Sequence, residues 1–300
     1  KAPSNIVAVK HLFLFTKRIL TRFLEKMIWF DQWSILYGPR DESNIRKLVQ
    51  FKPKNRDRFW ADPFLFEEGG RNFIFFEEQI GSEPAHIAVG EVINCELTNI
   101  NIALAEEYHL SYPYIFRVQD SIYMIPESSK NKSVDLYRAE CFPNRWVKVR
   151  TILNNVEAAD ATILFKDGLW WLFVSIRECV GSCPHSSLRL FYTSDLLHGE
   201  FIPHIKNPIC SDISQSRPAG RPFYSEGKLF RPSQDCSIRY GYGLNINLVN
   251  ELSKSQYDEA VVQRLKPNWS DECMAIHTYN SDGNQVVMDA QMRRSRFFNL

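Results

Sequence analysis

Five short segments carry side chains able to do chemistry, each at the same place in a recurring pattern. They are Ala61-Asp62-Pro63, Ser111-Tyr112-Pro113, Ala159-Asp160-Ala161, Ser216-Arg217-Pro218 and Ile276-His277-Thr278. Glycoside cleavage needs two carboxyl groups flanking the bond, one giving a proton to the leaving oxygen and one activating water or attacking the sugar. Asp62 and Asp160 are the candidates. Glu127, after Pro126 and the apolar run Tyr123-Met-Ile125, is a third. A carboxyl in such surroundings has its pKa raised and suits the role of acid. Plainer uses exist for all three, since Asp before a strand caps turns and Pro-Glu closes strands. Convergence of two carboxylates, an arginine and a histidine would require partners or a ligand.

A second group stands downstream. Arg217, Arg221 and Arg231, with Gln234 and Asp235, lie in the polar run Ser216-Arg-Pro-Ala-Gly-Arg221 and Arg231-Pro-Ser-Gln-Asp-Cys236. Arginine grips phosphate or uronate through a planar two-pronged contact, so an anionic glycan or sugar phosphate is the ligand these residues suggest. The same residues could instead pair among themselves. His277 could orient a carboxylate or a sugar hydroxyl. Trp60 and Tyr112 could stack on sugar rings, although core packing is the commoner use of such residues.

For these groups to meet, the chain must bring distant segments round one axis. Each segment opens a short apolar strand followed by a turn and a second strand, as in Phe64-Leu-Phe66 then Asn72-Phe-Ile-Phe-Phe-Glu77. The starts near 62, 112, 160, 218 and 277 recur every 50 to 60 residues or so, the period of propeller blades. Third strands are expected at His86–Gly90, Val134–Arg138, Leu188–Tyr192 and Tyr242–Asn247, with Gly-Gly and Asp-Gly turns between first and second strands. The pattern predicts an all-β, five-bladed propeller over residues 32–300, closed by Trp33–Tyr37 as the outer strand of the last blade. Residues 1–31 form a separate segment. From Ile6 to Phe30, apolar residues at helical spacing alternate with Lys10, Lys17, Arg18, Arg22 and Lys26. This is a basic amphipathic helix, read as a linker, with peripheral membrane contact through residues 6–30 as the sharper alternative.

Composition narrows the partners. The 300 residues carry 36 Lys+Arg against 35 Asp+Glu, which argues against nucleic-acid binding. Seven cysteines in a long chain imply no disulfide framework, and reduced thiols point to a cytoplasmic setting, with membrane association if the helix binds lipid. Cys179, Cys183 and His185 have a zinc-like spacing without a second ligand pair. No cofactor or metal is required by the sequence. The first residue is Lys, which suggests a piece of something longer.

Several ordered motifs carry a family likeness. They are Phe59-Trp-Ala-Asp-Pro-Phe-Leu-Phe66, Phe75-Phe-Glu-Glu78, Tyr112-Pro-Tyr-Ile-Phe116, Tyr123-Met-Ile-Pro-Glu-Ser128, Leu136-Tyr-Arg-Ala139, Arg217-Pro-Ala-Gly-Arg221 and Arg231-Pro-Ser-Gln-Asp-Cys236. From about Trp33 onward the chain resembles the N-terminal domain of glucosamine inositolphosphorylceramide transferases and its bacterial relatives. That domain is similar to the five-bladed propellers of family 43 and family 32 glycoside hydrolases. The resemblance implies that Asp62 matches their blade-one catalytic Asp, and Asp160 the second Asp that positions substrate and tunes the acid. Those hydrolases commonly carry the acid Glu on blade four, where this chain has Arg217-Pro-Ala-Gly; Glu127 would stand in for it from another blade. The resemblance also implies an adjacent domain in the full-length chain. Two functions follow from this reading: a glycosidase-type enzyme, or a non-catalytic glycan-binding module of a larger glycan-assembly enzyme.

Overall fold

The computed structural model describes residues 5–40, 45–177, 186–282 and 284–297. The Cys179, Cys183 and His185 group lies outside them. The cysteines among the described residues are free.

The strands form five sheets, and each sheet is one blade of a propeller. Blade one runs Arg58–Glu68, Arg71–Ile80, His86–Ile93 and Glu96–Leu104. Blades two and three repeat the order from Ser111–Val118 and Ala158–Lys166. In blade four the innermost strand shrinks to Phe223–Ser225. Its approach carries Pro218 and Pro222, which cannot donate to a ladder, and only a bridge from Pro218 to Ser233 survives there.

Blade five is assembled from both ends of the chain. Cys273–Ala275 and Tyr279–Asp282 form its inner edge against Gln285–Ser295, and Trp29–Pro39 pairs along the whole length of Gln285–Ser295. The closing segment is therefore the third strand, not the outer one. Its far edge takes up Val49–Phe51, a three-residue strand too short and too polar to stand out in the sequence. The helix α1 spans Asn5–Ile28 and stops short of Phe30, because Trp29 and Phe30 already pair with Ser295 and Arg294.

Each blade buries its faces against its neighbours. Phe64, Phe75, Tyr114, Ile125 and Leu172 pack blades one to three together. Trp171, Phe173 and Leu190 meet Leu229 and Val249 between blades three and four. Leu244, Ile246, Tyr279 and Met288 join blades four and five, and Ile35, Val287, Ile74 and Phe76 join five and one. No single blade could cover both its faces, so ring closure and stability are one property.

Candidate active site at the propeller hub

The first three blades share a backbone device. Two residues of the innermost strand, Asp62-Pro63, Tyr112-Pro113 or Asp160-Ala161, stand opposite one residue of the second strand. The first residue of each bulge is left-handed, with φ of 50°, 45° and 53° at Asp62, Tyr112 and Asp160. A non-glycine residue there costs on the order of 1 kcal/mol or more. Bulges of this kind re-aim a side chain. Here they turn Asp62 and Asp160 into the hub, where both are buried.

The register places a second layer opposite these bulges. Ala61, Ser111 and Ala159 face Glu77, Glu127 and Ser175. Blade four contributes Gln234, whose N–H donates to the Arg217 carbonyl. Blade five contributes Asp289, opposite the His277-Thr278 stretch.

Asp160 is the anchor of one half. Arg217 donates to it through Nε and, at 3.2 Å, through an NH2 nitrogen, and Gln234 Nε2 donates at 2.9 Å. Glu127 completes this half. Its Oε2 accepts the Asp160 N–H at 3.2 Å and faces an Arg217 NH2 nitrogen at 3.4 Å. Burial, then the negative charge of Asp160, push the Glu127 carboxyl well above its ordinary range, with Arg217 opposing. The Arg217 guanidinium is held firmly charged: burial works against it, and Asp160 and Glu127 outweigh that.

The other half belongs to blades five and one. Asp289 accepts from His277 Nδ1 at 2.6 Å, from the N–H groups of His277 and Thr278 at 2.9 and 3.0 Å, and from the Asp62 N–H at 3.0 Å. Burial disfavours the His277 charge, but Asp289 and Asp62 outweigh it and lift its pKa to about 9. Burial alone would raise Asp289 as well; His277 and the N–H donors hold it below its ordinary value. Trp33 stacks on the His277 ring at 4.1 Å. Asp62 accepts from Thr278 Oγ1 at 2.7 Å. Burial pushes Asp62 up to about 7; His277 opposes this, and Asp160, Glu77 and Asp289 add to it. Asp62, His277 and Asp289 offer ligand atoms close enough to surround a cation. His277 Nδ1 lies 2.6 Å from Asp289 and 3.7 Å from Asp62.

These shifts predict a slope in stability. Asp62 binds its proton more tightly folded than unfolded, so its contribution weakens as pH rises from about 4 through about 7. His277 does the same from its ordinary 6.5 to about 9. Thermal melts should therefore move to lower temperature as pH rises across these windows, and Asp62→Asn should flatten the lower one. A wild-type melting temperature that rises steadily from pH 5 to pH 9 contradicts the assignment.

Other expected ligands are placed elsewhere. Arg231 is buried against the outer strand of blade four, donating to both Glu259 oxygens at 2.8 and 2.6 Å. Arg221 straps three blades, with its N–H on Asn280 and an NH2 nitrogen on the Ile115 carbonyl, both at 2.7 Å. Asp235 caps a turn through Ser237. Trp60 donates to Glu78 at 2.9 Å and packs on Phe76. Tyr112 is wholly buried, its hydroxyl accepting the Gly220 N–H at 2.7 Å and meeting Thr162 Oγ1. Each makes its contacts in this structure to a protein partner. The reading from sequence missed Asp289, Thr278, Trp33 and Tyr240. The Tyr240 ring lies 5.0 Å from the Arg217 guanidinium carbon and meets His277 edge-on. A signal for Asp289 was present, because Phe75-Phe-Glu77, Met124-Ile-Pro-Glu127 and Val287-Met-Asp289 all follow the apolar run of a second strand with an acid.

Residues 50–291 match the family model for glucosamine inositolphosphorylceramide transferase 1, N-terminal. The chain belongs to this family. Among curated members of the glucosamine inositolphosphorylceramide transferase family, it is 38% identical to the transferase 1 of Oryza sativa subsp. japonica over 209 residues, 68% of this chain and 28% of the rice protein. The Arabidopsis thaliana transferase 1 is 35% identical over the same length, 27% of that protein. The chain thus spans a little over a quarter of these relatives. In fold, the family domain is similar to a family 117 glycoside hydrolase of Zobellia galactanivorans (TM-score 0.57, 11% identity, 90% of this chain and 93% of that one). It is also similar to the catalytic domain of the Coprinopsis cinerea GH62 α-L-arabinofuranosidase (TM-score 0.59, 12% identity, 88% and 97%).

Proposed function

We propose that the hub is a sugar site with glycosidase-type acid–base chemistry, Glu127 giving the proton and Asp62 acting as base or nucleophile. The observation that carries this is the presence of two unlike buried carboxyls at one hub, Asp62 adding to the upward shift of Glu127. Burial and the Asp160 charge raise Glu127 well above its ordinary range, which favours the acid form, while Asp62, near 7, ionises in the working range. Asp160, clamped by Arg217 and Gln234, sets the charge that raises Glu127. The cations of the hub are engaged within the protein, Arg217 on Asp160 and Glu127, and His277 on Asp289. A neutral or amine-bearing sugar fits this arrangement better than an anionic one, and the relatives' name speaks of glucosamine. In a longer chain the propeller would work beside a transferase unit.

A second reading, a glycan-binding module without turnover, is favoured by one observation. Asp62 and Asp160 are only 4% and 1% exposed, and Tyr240 stands against Arg217 and His277. The test is a panel of neutral and amino-sugar aryl glycosides, with binding followed alongside release. Wild type is expected to release the aryl group, and Asp62→Asn to lower kcat by about 10²–10⁴-fold. Equal rates remove Asp62 from the chemistry. Binding without release, weakened by Asp62→Asn, replaces the first reading by the second.

A further inference from the structure

Helix α1 covers none of the core with its apolar side. Stepping about 100° per residue, Leu12, Phe13, Ile19, Leu20, Phe23 and Met27 fall within an arc of roughly 120°. Each is 53–67% exposed. Lys17 and Lys26 flank the two edges of that arc, Lys10 and Arg18 lie beyond them, and Glu25 is the one acid in the helix. Among the described residues, the hydrogen bonds that tie α1 to the propeller sit at its end, where Arg296 donates to the carbonyls of Lys26 and Ile28. No helix of the described residues is long and apolar enough to cross a bilayer.

The position of α1 follows from the topology. The carboxylates of the hub sit where first strands begin and second strands end. In blade five the second strand runs from Gln285 past Asp289 to Ser295, and Ser295 pairs with Trp29, the residue after α1. Six residues of strand put that end about 20 Å beyond Asp289, on the face of the ring where first strands begin. The loop 236–242, which carries Tyr240, joins a second strand to a third and lies on this face too. The turns at Gly69-Gly70, Asp167-Gly168 and Glu226-Gly227 mark the opposite face.

We propose that α1 is an interfacial anchor that lays this face of the propeller against an anionic lipid surface. An apolar face edged by lysines and almost free of acids is complementary to such a surface. The anchoring stands whether or not the hub turns over the sugar proposed above.

The test uses the whole chain with vesicles of phosphatidylcholine, alone or mixed with phosphatidylserine. Sedimentation with the mixed vesicles is expected, and much less with phosphatidylcholine alone. Each cation near an anionic surface is worth about a fivefold change, so Lys17→Gln with Arg18→Gln should weaken binding about 30-fold. Leu20→Ser with Phe23→Ser should abolish it, and both variants should melt as wild type does. Hydrogen exchange should slow in α1 and in loop 236–242 on vesicle addition, with the turns at 69–70, 167–168 and 226–227 unchanged. Equal binding to both vesicle types, no binding, or slowing at the far turns overturns the proposal. So does a dimer in vesicle-free solution that Leu20→Ser with Phe23→Ser dissociates, since a second copy would then cover the face.

Discussion

Replacing Asp289 by alanine is expected to destabilise the propeller by about 3–5 kcal/mol and to lower its melting temperature by roughly 10 °C. The carboxylate accepts three backbone N–H groups from two blades and holds the His277 imidazolium at 2.6 Å. Removing it leaves a charged ring buried at 3% exposure, with Asp62 as its remaining nearby carboxylate at 3.7 Å. Breaking a buried pair on one side costs more than the pair itself is worth, because the partner's charge stays behind without solvent. Asp289→Asn keeps the shape but loses the charge, and should fall between wild type and alanine. Calorimetry against Asp120→Ala, at an exposed turn on the far face, separates this from ordinary surface effects, which stay within about 0.5 kcal/mol. A shift no larger than that of the control would show that the blade-five half is not the keystone.

Glu127→Gln is expected to lower kcat by about 10²–10⁴-fold while leaving the melting temperature nearly unchanged at neutral pH. Both halves of that statement come from one cause. Burial and the Asp160 charge favour the protonated Glu127 carboxyl, so an amide of the same shape replaces it at little cost. The amide still accepts the Asp160 N–H, but it has no proton to give. Asp62 imposes a limb on the acid side: rates of wild type should rise as pH passes through about 7, where Asp62 ionises. These limbs belong to the coupled group of carboxyls and not to one residue alone. Steady-state rates of the two proteins from pH 5 to pH 9 check the prediction.

The ring of blades was legible because strand periodicity, Asp-Gly turns and the spacing of similar starts all reported the same repeat. The hub was legible at Asp62, Asp160, Arg217 and His277 for the same reason: equal positions in a closed ring must converge. Arg221, Arg231 and Asp235 were not separable from Arg217 in one dimension. A blade strand points successive residues to opposite faces, so Arg231 finds Glu259 two strands outward while its neighbour Gln234 reaches Asp160. Trp33 escaped notice because its partner His277 lies at the other end of the chain and meets it only once the ring closes. The third-strand place of Trp29–Pro39 was hidden by Val49–Phe51, which has too few residues to show a period.

The account turns on a proton that Glu127 delivers to a leaving group within reach of Asp62. The most direct measurement compares wild type with Glu127→Gln on two glycosides of the same sugar, one with an activated nitrophenyl leaving group and one with a poor alkyl leaving group. The predicted result is a large loss on the alkyl glycoside and a small one on the nitrophenyl glycoside, which needs no proton to depart. Equal losses on both, or none on either, would contradict it.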